Sequence, residues 1–204
     1  MDLILFFIIL IFSVVIHEVS HGVVADHFGD STARDAGRLT LNPIPHIDPY
    51  GSILLPLILW VATAGQFVLG AAKPVPVNFQ NLRNPKRDMA LVALAGPASN
   101  FILAIACALP LRFILVDITT PGGEFLLQVV GLNLILGIFN LIPIPPLDGS
   151  KIVASILSDR LLPGFLSLEK FGFILIILFV FSGLFERVLY PLLIGGLSLL
   201  IGTA

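Results

Sequence analysis

Six long apolar stretches determine what this chain can fold into. They cover residues 3–25, 51–72, 89–116, 125–145, 171–185 and 188–204. An α-helix needs about 20 predominantly apolar residues to cross a bilayer, and most of these stretches are long enough. The polar segments between them are short. The pattern predicts an all-α polytopic membrane protein, organised as a single membrane-embedded domain over residues 1–204.

The low charge of the chain supports a location in the lipid bilayer. Only 12% of the residues are charged and 57% are hydrophobic, whereas an ordinary soluble domain carries roughly 25% charged residues. No basic face stands out, so a nucleic-acid partner is not expected. Composition does not predict the oligomeric state.

The first apolar stretch ends in "IHEVSHGVV", residues 16–24. On a helix His17 and His21 lie four residues apart and share one face, so both imidazoles can bind one zinc ion. Glu18 is the intervening glutamate of the His-Glu-x-x-His pattern, in which it acts as the general base of zinc hydrolases. An ionisable group at the centre of a membrane helix costs about 2.5–3.5 kcal/mol. Three such groups within five positions therefore favour a functional site over a chance cluster.

A catalytic zinc usually has three protein ligands and one open position, so a third ligand is needed. Asp148 is the candidate, because it follows the proline-rich run "NLIPIPPL" at residues 140–147. Those prolines break the helix at membrane depth, where irregular backbone is tolerated only beside protein or a watery cavity. Asp148 is alternatively the cap of the following helix, and the two roles are compatible.

Several segments resemble the site-2 proteases, a family of intramembrane zinc metalloproteases. The resemblance rests on "HEVSH" in the first helix, "GPASN" at residues 96–100 and "NLIPIPPLDG" at residues 140–149. The segments "LNPIPHIDPYG" and "AKPVPVN" are similar to the compact prokaryotic branch of that family. The resemblance implies one catalytic Zn²⁺ bound by His17, His21 and Asp148, with Glu18 as the catalytic glutamate and Asn140 near the active site. It also implies substrates that are single-pass transmembrane proteins.

Three further features have both a functional and a structural interpretation. Asn140, and less strongly Asn100, is a candidate to bind the oxyanion or the substrate backbone, while an interhelical hydrogen bond is the alternative for both. His46 is a candidate for a proton step or the metal shell, but an interfacial histidine is the favoured interpretation. "KPVPV" at residues 73–77 predicts an extended stretch that could receive an unwound substrate as an added strand.

A shared zinc ion also predicts the directions of the helices. His17, His21 and Asp148 must lie at one depth, so helices 3–25 and 125–145 run the same way and helix 89–116 runs oppositely. Basic residues favour the cytoplasmic side, and this arrangement places nine of them there: Arg34, Arg38, Lys73, Arg83, Lys86, Arg87, Lys151, Arg160 and Lys170. The zinc site then lies toward the cytoplasm of the cell membrane. Stretch 51–72 begins and ends on that side, so it is predicted to be re-entrant or a hairpin.

The resulting prediction is a three-helix catalytic core with a re-entrant or hairpin element and a C-terminal helical hairpin over residues 171–204. Two other functions remain open at this stage. Intramembrane histidine and aspartate also mark ion pathways, so a metal or ion transporter is one alternative. A catalytically silent, scaffold-like relative is the other.

Overall fold

The structure is a computed structural model that describes residues 3–54, 57–58, 61 and 72–202. Those residues contain helices and turns but no β-strand, as the all-α prediction requires. The helices are α1 (Leu3–His27), α2 (Thr32–Asp35), α3 (Pro85–Arg112), α4 (Pro121–Asn140), α5 (Asp148–Ile156), α6 (Leu162–Ser167), α7 (Gly172–Phe181) and α8 (Tyr190–Ile201).

Four helical segments are long and apolar enough to cross a membrane: Ile4–His27, Pro85–Arg112, Pro121–Asn140 and Leu162–Phe181. Many large apolar side chains on them are exposed, including Phe12, Ile102 and Phe181. In water this exposure would be unfavourable, whereas in lipid it lets the helices meet acyl chains. The structure therefore has the character of a multi-pass membrane protein.

Two helices begin earlier than the apolar stretches predicted, at Pro85 and Pro121. Proline is favoured in the first turn of a helix because its missing N–H has no intrahelical partner there. The prediction placed the starts at residues 89 and 125, where the unbroken apolar runs begin.

Helix α3 is the centre of the bundle and packs against both α1 and α4. Small residues allow the close approach: Ala104 and Ala108 of α3 are buried against Val130 and Leu134 of α4. Small side chains are the usual means by which membrane helices approach each other, since lipid supplies no hydrophobic driving force between them.

Cross-helix contacts show the direction of each helix. His21 contacts Val92 and His17 contacts Asn100, so α1 and α3 are antiparallel. Asn100 contacts Asn133 on α4, and Ala104 packs with the earlier residue Val130, so α3 and α4 are antiparallel as well. Helices α1 and α4 therefore run in the same direction, as the shared-zinc argument predicts.

Two described parts of the segment between α2 and α3 meet each other. The Lys73 amide donates to the His46 carbonyl at 2.9 Å, which joins the two ends of the intervening chain. Most of the predicted re-entrant stretch 51–72 lies outside the described residues. Its first four residues, 51–54, belong to a π-helical turn, Pro49–Leu54.

Asp30 ties the end of α1 to the segment that precedes α3. The buried carboxylate accepts hydrogen bonds from the Asn78 amide at 2.7 Å, the Asn81 side chain at 2.9 Å and Thr32. Burial opposes the charge, but these donors outweigh it and hold the pKa of Asp30 below its ordinary value.

The two arms of the predicted C-terminal hairpin have different neighbours. Leu193 and Leu197 of α8 pack on the cluster formed by α3 and α4. Helix α7 lies beside the loop 143–146, where Gly172 closely approaches Pro146. The arms are joined by a π-helical turn, Phe185–Leu189.

Candidate metal centre

Two imidazoles and one carboxylate from opposite ends of the sequence converge inside the helix bundle. The Nε2 atoms of His17 and His21 lie 3.0 Å apart. Each also lies close to the Oδ2 atom of Asp148, at 3.1 Å and 3.2 Å respectively. All three side chains are largely buried. These residues form a group that could hold a metal ion.

Helix geometry and a proline-rich loop place the three side chains. The four-residue spacing on α1 brings the two rings to a centroid distance of 4.7 Å, nearly perpendicular to each other. Asp148 is the first residue of α5, directly after the loop 141–147. A Cβ atom on Gly149 would lie 2.2 Å from the Leu141 carbonyl oxygen, so only glycine permits α5 to start this close to the end of α4. The role of Gly149 is therefore close packing rather than a sharp turn.

Each histidine is held at its other ring nitrogen. The Nδ1 atom of His21 lies 2.7 Å from the Val92 carbonyl oxygen, and that of His17 lies 2.6 Å from the Asn100 Oδ1 atom. Because a carbonyl oxygen only accepts hydrogen bonds, Nδ1 of His21 carries the proton and its Nε2 presents a lone pair.

The donor set fits a zinc ion. Asp148 Oδ2 is buried and receives no hydrogen bond from any residue that the structure describes. Facing an imidazole lone pair, such an acceptor is unfavourable unless a cation lies between them. Four-coordinate zinc with bonds of about 2.0–2.1 Å sets its ligand atoms about 3.3 Å apart. The observed separations of 3.0–3.2 Å are close to that value.

Glu18 lies beside this group and is held by the segment 72–78. Its Oε2 atom accepts a hydrogen bond of 2.8 Å from the Val75 amide. Val75 stands between Pro74 and Pro76, neither of which has an N–H, so its amide is the one main-chain donor between Lys73 and Val77. The segment is non-helical, in line with the extended stretch predicted from "KPVPV", but forms no strand.

Two contacts hold Val75 and the residues before it in place. Its buried side chain occupies the space left by Gly22, where a Cβ atom would lie 2.8 Å from the valine Cγ1 atom. The guanidinium of Arg38 donates to the carbonyl oxygens of Lys73 at 2.8 Å and Pro74 at 3.3 Å. The loop after α2 therefore helps to set the position of the amide that contacts Glu18.

A cavity of about 650 Å³ opens onto the metal group. Its walls are mainly apolar, and its polar lining includes His17, Glu18, His21, Asn140, Asp148, Lys151 and Glu169. Asn140 donates its own amide to the Leu136 carbonyl at 3.0 Å. The structure thus brings Asn140 into the same cavity as Glu18, and its catalytic role stays a prediction.

Two residues of "GPASN" contact the histidines directly. Asn100, the weaker candidate for oxyanion binding, makes an interhelical contact with His17, which is the alternative considered for it. A Cβ atom on Gly96 would lie 2.4 Å from the His21 Nε2 atom and 2.5 Å from that of His17. Residues four apart share a helix face, so the spacing of this motif already indicated that Gly96 and Asn100 face the same neighbour.

His46 is placed away from the group. Its side chain is buried, and its Nε2 atom lies 2.9 Å from the Thr40 carbonyl oxygen. It is absent from the described residues that line the cavity. A role for His46 in the metal shell is therefore not supported by this arrangement.

Comparisons with known proteins place this geometry in a family context. The chain matches the model of peptidase family M50 over residues 5–121 and 119–182. YwhC of Bacillus subtilis is 38% identical over 196 residues, which cover 93% of this chain and 85% of YwhC. Rip2 of Mycolicibacterium smegmatis is 31% identical over 88% of this chain and 68% of Rip2.

A more distant relative is the archaeal protein named zinc metalloprotease MJ0392, from Methanocaldococcus jannaschii. It is 30% identical over 76% of this chain, and the match covers 34% of its own length. No solved structure gives a significant match to the chain.

Proposed function

The chain belongs to peptidase family M50, the site-2 protease family, as a zinc metalloprotease with a His17–His21–Asp148 metal-binding group, and on that premise we propose that it cleaves its substrates within the membrane. The bonds hydrolysed are peptide bonds within or near the transmembrane helices of single-pass proteins. One observation supports this most: Glu18 and the three metal-binding side chains line one cavity inside a bundle of membrane-type helices.

His17, His21 and Asp148 would hold one catalytic Zn²⁺. When bound, zinc lowers the pKa of a coordinated water to about 7 and polarises the carbonyl to be attacked. Glu18 and Asn140 line the same cavity as these three side chains, so a water molecule or a substrate in the cavity would reach the metal-binding group beside them.

Glu18 is the general base and later the general acid. Its Oε2 atom is engaged by the Val75 amide, so Oε1 is the oxygen available to take a proton from water in the cavity. The same oxygen then returns the proton to the leaving amine. Proton transfer by a positioned side chain typically contributes about 10²–10⁴-fold to the rate.

Asn140 contributes a polar contact to the substrate. It lies at the cavity end of α4, four residues after Leu136, whose carbonyl accepts one of its amide hydrogens. The second amide hydrogen would bind the developing oxyanion or a substrate carbonyl, an interaction of the kind that stabilises acyl-transfer transition states.

The proposed fold has a catalytic core of α1, α3 and α4, a re-entrant or hairpin element within residues 51–72 and a C-terminal helical pair. Its active site faces the cytoplasmic side of the cell membrane. The metal group lies nearer the end of the bundle where α1 ends and α3 begins, and Arg83 pairs there with Phe28 through a 3.0 Å backbone hydrogen bond. Basic residues concentrate at this end, as they do in cytoplasmic loops.

Cleavage of a model single-pass substrate in proteoliposomes, with zinc measured by mass spectrometry, tests the proposal. Wild-type protein should bind one zinc per chain and cleave the substrate. Glu18→Gln should keep its zinc and lose cleavage by about 10²–10⁴-fold. Glu124→Gln is the matched control, since Glu124 lies in the first turn of α4 at the opposite end of the bundle.

Two results would overturn parts of the proposal. Substantial cleavage by Glu18→Gln would remove Glu18 as the base, and full zinc occupancy in Asp148→Ala would reassign the third ligand. Zinc binding by the wild type without cleavage of any single-pass substrate would favour the scaffold alternative.

A further inference from the structure

A buried chain of polar side chains runs from His17 across all three core helices. Asn100 Oδ1 lies 2.6 Å from the His17 Nδ1 atom, and Asn100 Nδ2 donates to Asn133 Oδ1 at 2.9 Å. Asn133 Nδ2 donates to Ser13 Oγ and to the Val129 carbonyl oxygen, both at 2.9 Å. We call Asn100, Asn133 and Ser13 the amide relay.

We propose that the amide relay fixes which nitrogen of His17 carries the ring proton, so that Asn100 and Asn133 are positioning residues for the metal ion. This inference rests on the metal-binding part of the proposed function and does not require the peptidase activity. These residues are not among the described residues that line the cavity, whereas His17 is, so their effect passes through His17.

The orientation of the two amide groups in the relay follows from the contact of Asn133 with the Val129 carbonyl oxygen. The Val129 carbonyl oxygen can only accept a hydrogen bond, so the Asn133 NH₂ group must face it. The Asn133 oxygen then faces Asn100, and the Asn100 NH₂ group must donate to it. A long contact of 3.5 Å from Asn100 Nδ2 to the Ser13 carbonyl oxygen requires the same amide orientation.

The orientation of the Asn100 amide in turn determines which nitrogen of His17 carries the proton. With its NH₂ group turned toward Asn133, Asn100 presents its oxygen to His17 Nδ1, which must therefore be protonated. The Nε2 atom of His17 then carries a lone pair that is directed at His21 and Asp148. His21 reaches the same tautomer through a single contact, the Val92 carbonyl.

Because the relay is buried, its side chains have one favourable hydrogen-bonding arrangement. Asn100 and Asn133 are 0% exposed, so water cannot supply alternative partners. In a low-dielectric interior an unpaired amide is costly, and a fully paired network has one favourable arrangement. Contacts of this outer kind typically change metal affinity by about 10–100-fold when removed.

Two substitutions of Asn100 separate positioning from simple helix packing. Asn100→Leu removes both the acceptor for His17 and the donor to Asn133. Asn100→Asp keeps an acceptor for His17 while losing the donor to Asn133. If the relay served only to hold α3 against α4, both variants would destabilise the protein to the same extent.

The measurement is the zinc dissociation constant of the full-length protein in detergent micelles, obtained by chelator competition. Asn100→Leu should bind zinc about 10–100-fold more weakly, and Asn100→Asp should stay within about threefold of the wild type. Asn133→Leu frees the Asn100 amide to rotate and should give an intermediate loss. Gln128→Leu, an amide-to-leucine change on α4 outside the relay, should leave zinc affinity unchanged.

A second readout reports the tautomer directly. In ¹⁵N-histidine NMR spectra of chelator-treated protein, wild-type His17 should be protonated at Nδ1, and Asn133→Leu should show both tautomers.

Protonation of wild-type His17 at Nε2 would overturn the inference, as would wild-type zinc affinity in Asn100→Leu or an equal loss of zinc affinity in the Leu and Asp variants. If Asn100→Leu does not fold, the wild-type spectrum and Asn133→Leu decide the question. Failure of peptide cleavage alone would count against the proposed peptidase and leave this inference intact.

Discussion

A histidine can bind a metal through either ring nitrogen, so the group that occupies the other nitrogen decides how the ring is presented. In this chain those groups are a main-chain carbonyl for His21 and a side-chain amide for His17, both supplied by α3. The metal group is thus built by α1 and α5 but oriented by α3. The contacts of α3 with the two imidazole rings are therefore as important for metal binding as the ligands themselves.

At Gly96 the backbone of α3 lies very close to the two histidine ligands. A Cβ atom there would lie 2.4–2.5 Å from both Nε2 atoms, which real contacts do not tolerate. Gly96→Ala should therefore displace the imidazoles or α3 and lower zinc occupancy at least tenfold at limiting metal, an effect of the size seen for outer-shell changes, about 10–100-fold.

Gly131→Ala is the matched control for that change. Gly131 also lies in a membrane-spanning helix, and a Cβ atom there would meet nothing within 4 Å. Zinc measured by mass spectrometry on both purified variants checks the prediction. Normal zinc content in Gly96→Ala would show that α3 can shift without disturbing the ligands.

At the scale of an element, the short segment 73–77 joins the polar loops to α1, the helix that carries Glu18. Arg38 and the His46 carbonyl hold its start, and Val75 contacts α1 through both its side chain and its amide. The sequence predicted a non-helical stretch from Pro74 and Pro76. It did not predict the contact with Glu18, because that depends on how far the loop folds back over α1.

Val75→Pro tests the amide contact. Proline removes the N–H while keeping extended backbone, so the Glu18 carboxylate loses its 2.8 Å donor. A hydrogen bond to a charged group contributes about 1.5–3 kcal/mol, which corresponds to a rate loss of roughly 10–100-fold. Val75→Ala keeps the amide and should lose much less activity. Initial rates of substrate cleavage, normalised to zinc content, distinguish the two, and equal rates for the two variants would contradict the role of the amide.

The junction that Asp30 makes between α1 and residues 78–81 predicts a pH dependence of stability. The folded-state pKa of Asp30 is lowered, so the unfolded chain takes up the proton first as the pH falls. The contribution of Asp30 is therefore complete above the ordinary aspartate pKa of about 3.9 and is lost as the pH falls through the lower, folded-state value. Other carboxylates add to the total acid sensitivity, so a comparison of variants is required.

Asp30→Asn should be less stable than the wild type at pH 7, and the difference should shrink as the pH falls below about 4. Thermal unfolding in detergent between pH 7 and pH 3 measures this difference. Asp35→Asn is the control, because Asp35 is exposed and accepts from Ser31 in a local contact. A constant difference between wild type and Asp30→Asn at all pH values would show that the charge of Asp30 is not what stabilises the junction.

For the whole molecule, one requirement at the residue scale determines the directions of three helices. His17, His21 and Asp148 meet, so α1 and α4 had to run in the same direction, and this was predicted from the expectation that the three residues share one zinc ion. The partners of the apolar faces were not predictable, since lipid-facing and helix-facing surfaces are equally hydrophobic in sequence. The packing of α8 on α3 and α4, and the link from Asn133 to Ser13, therefore appear only in the structure.

The meeting of His46 and Lys73 has a consequence for membrane topology that is independent of the zinc site. A chain whose residues 46 and 73 are hydrogen-bonded cannot cross the membrane once between them. We therefore predict that residues 40 and 80 lie on one side of the membrane and that the α3–α4 connection at residues 113–120 lies on the other. The concentration of basic residues predicts that the shared side is the cytoplasm.

Cysteine accessibility in intact cells tests this arrangement. Single cysteines at Leu41, Gln80 and Thr119, all exposed, are introduced after Cys107, the one native cysteine, is changed to serine. A membrane-impermeant maleimide should label position 119 in intact cells, whereas positions 41 and 80 should be labelled only after the membrane is permeabilised. Labelling of positions 41 and 80 from opposite sides would require an odd number of crossings between them, and would contradict both the loop geometry and the common depth of the metal ligands. Labelling of both from outside would preserve the fold but invert it, placing the cavity on the external face.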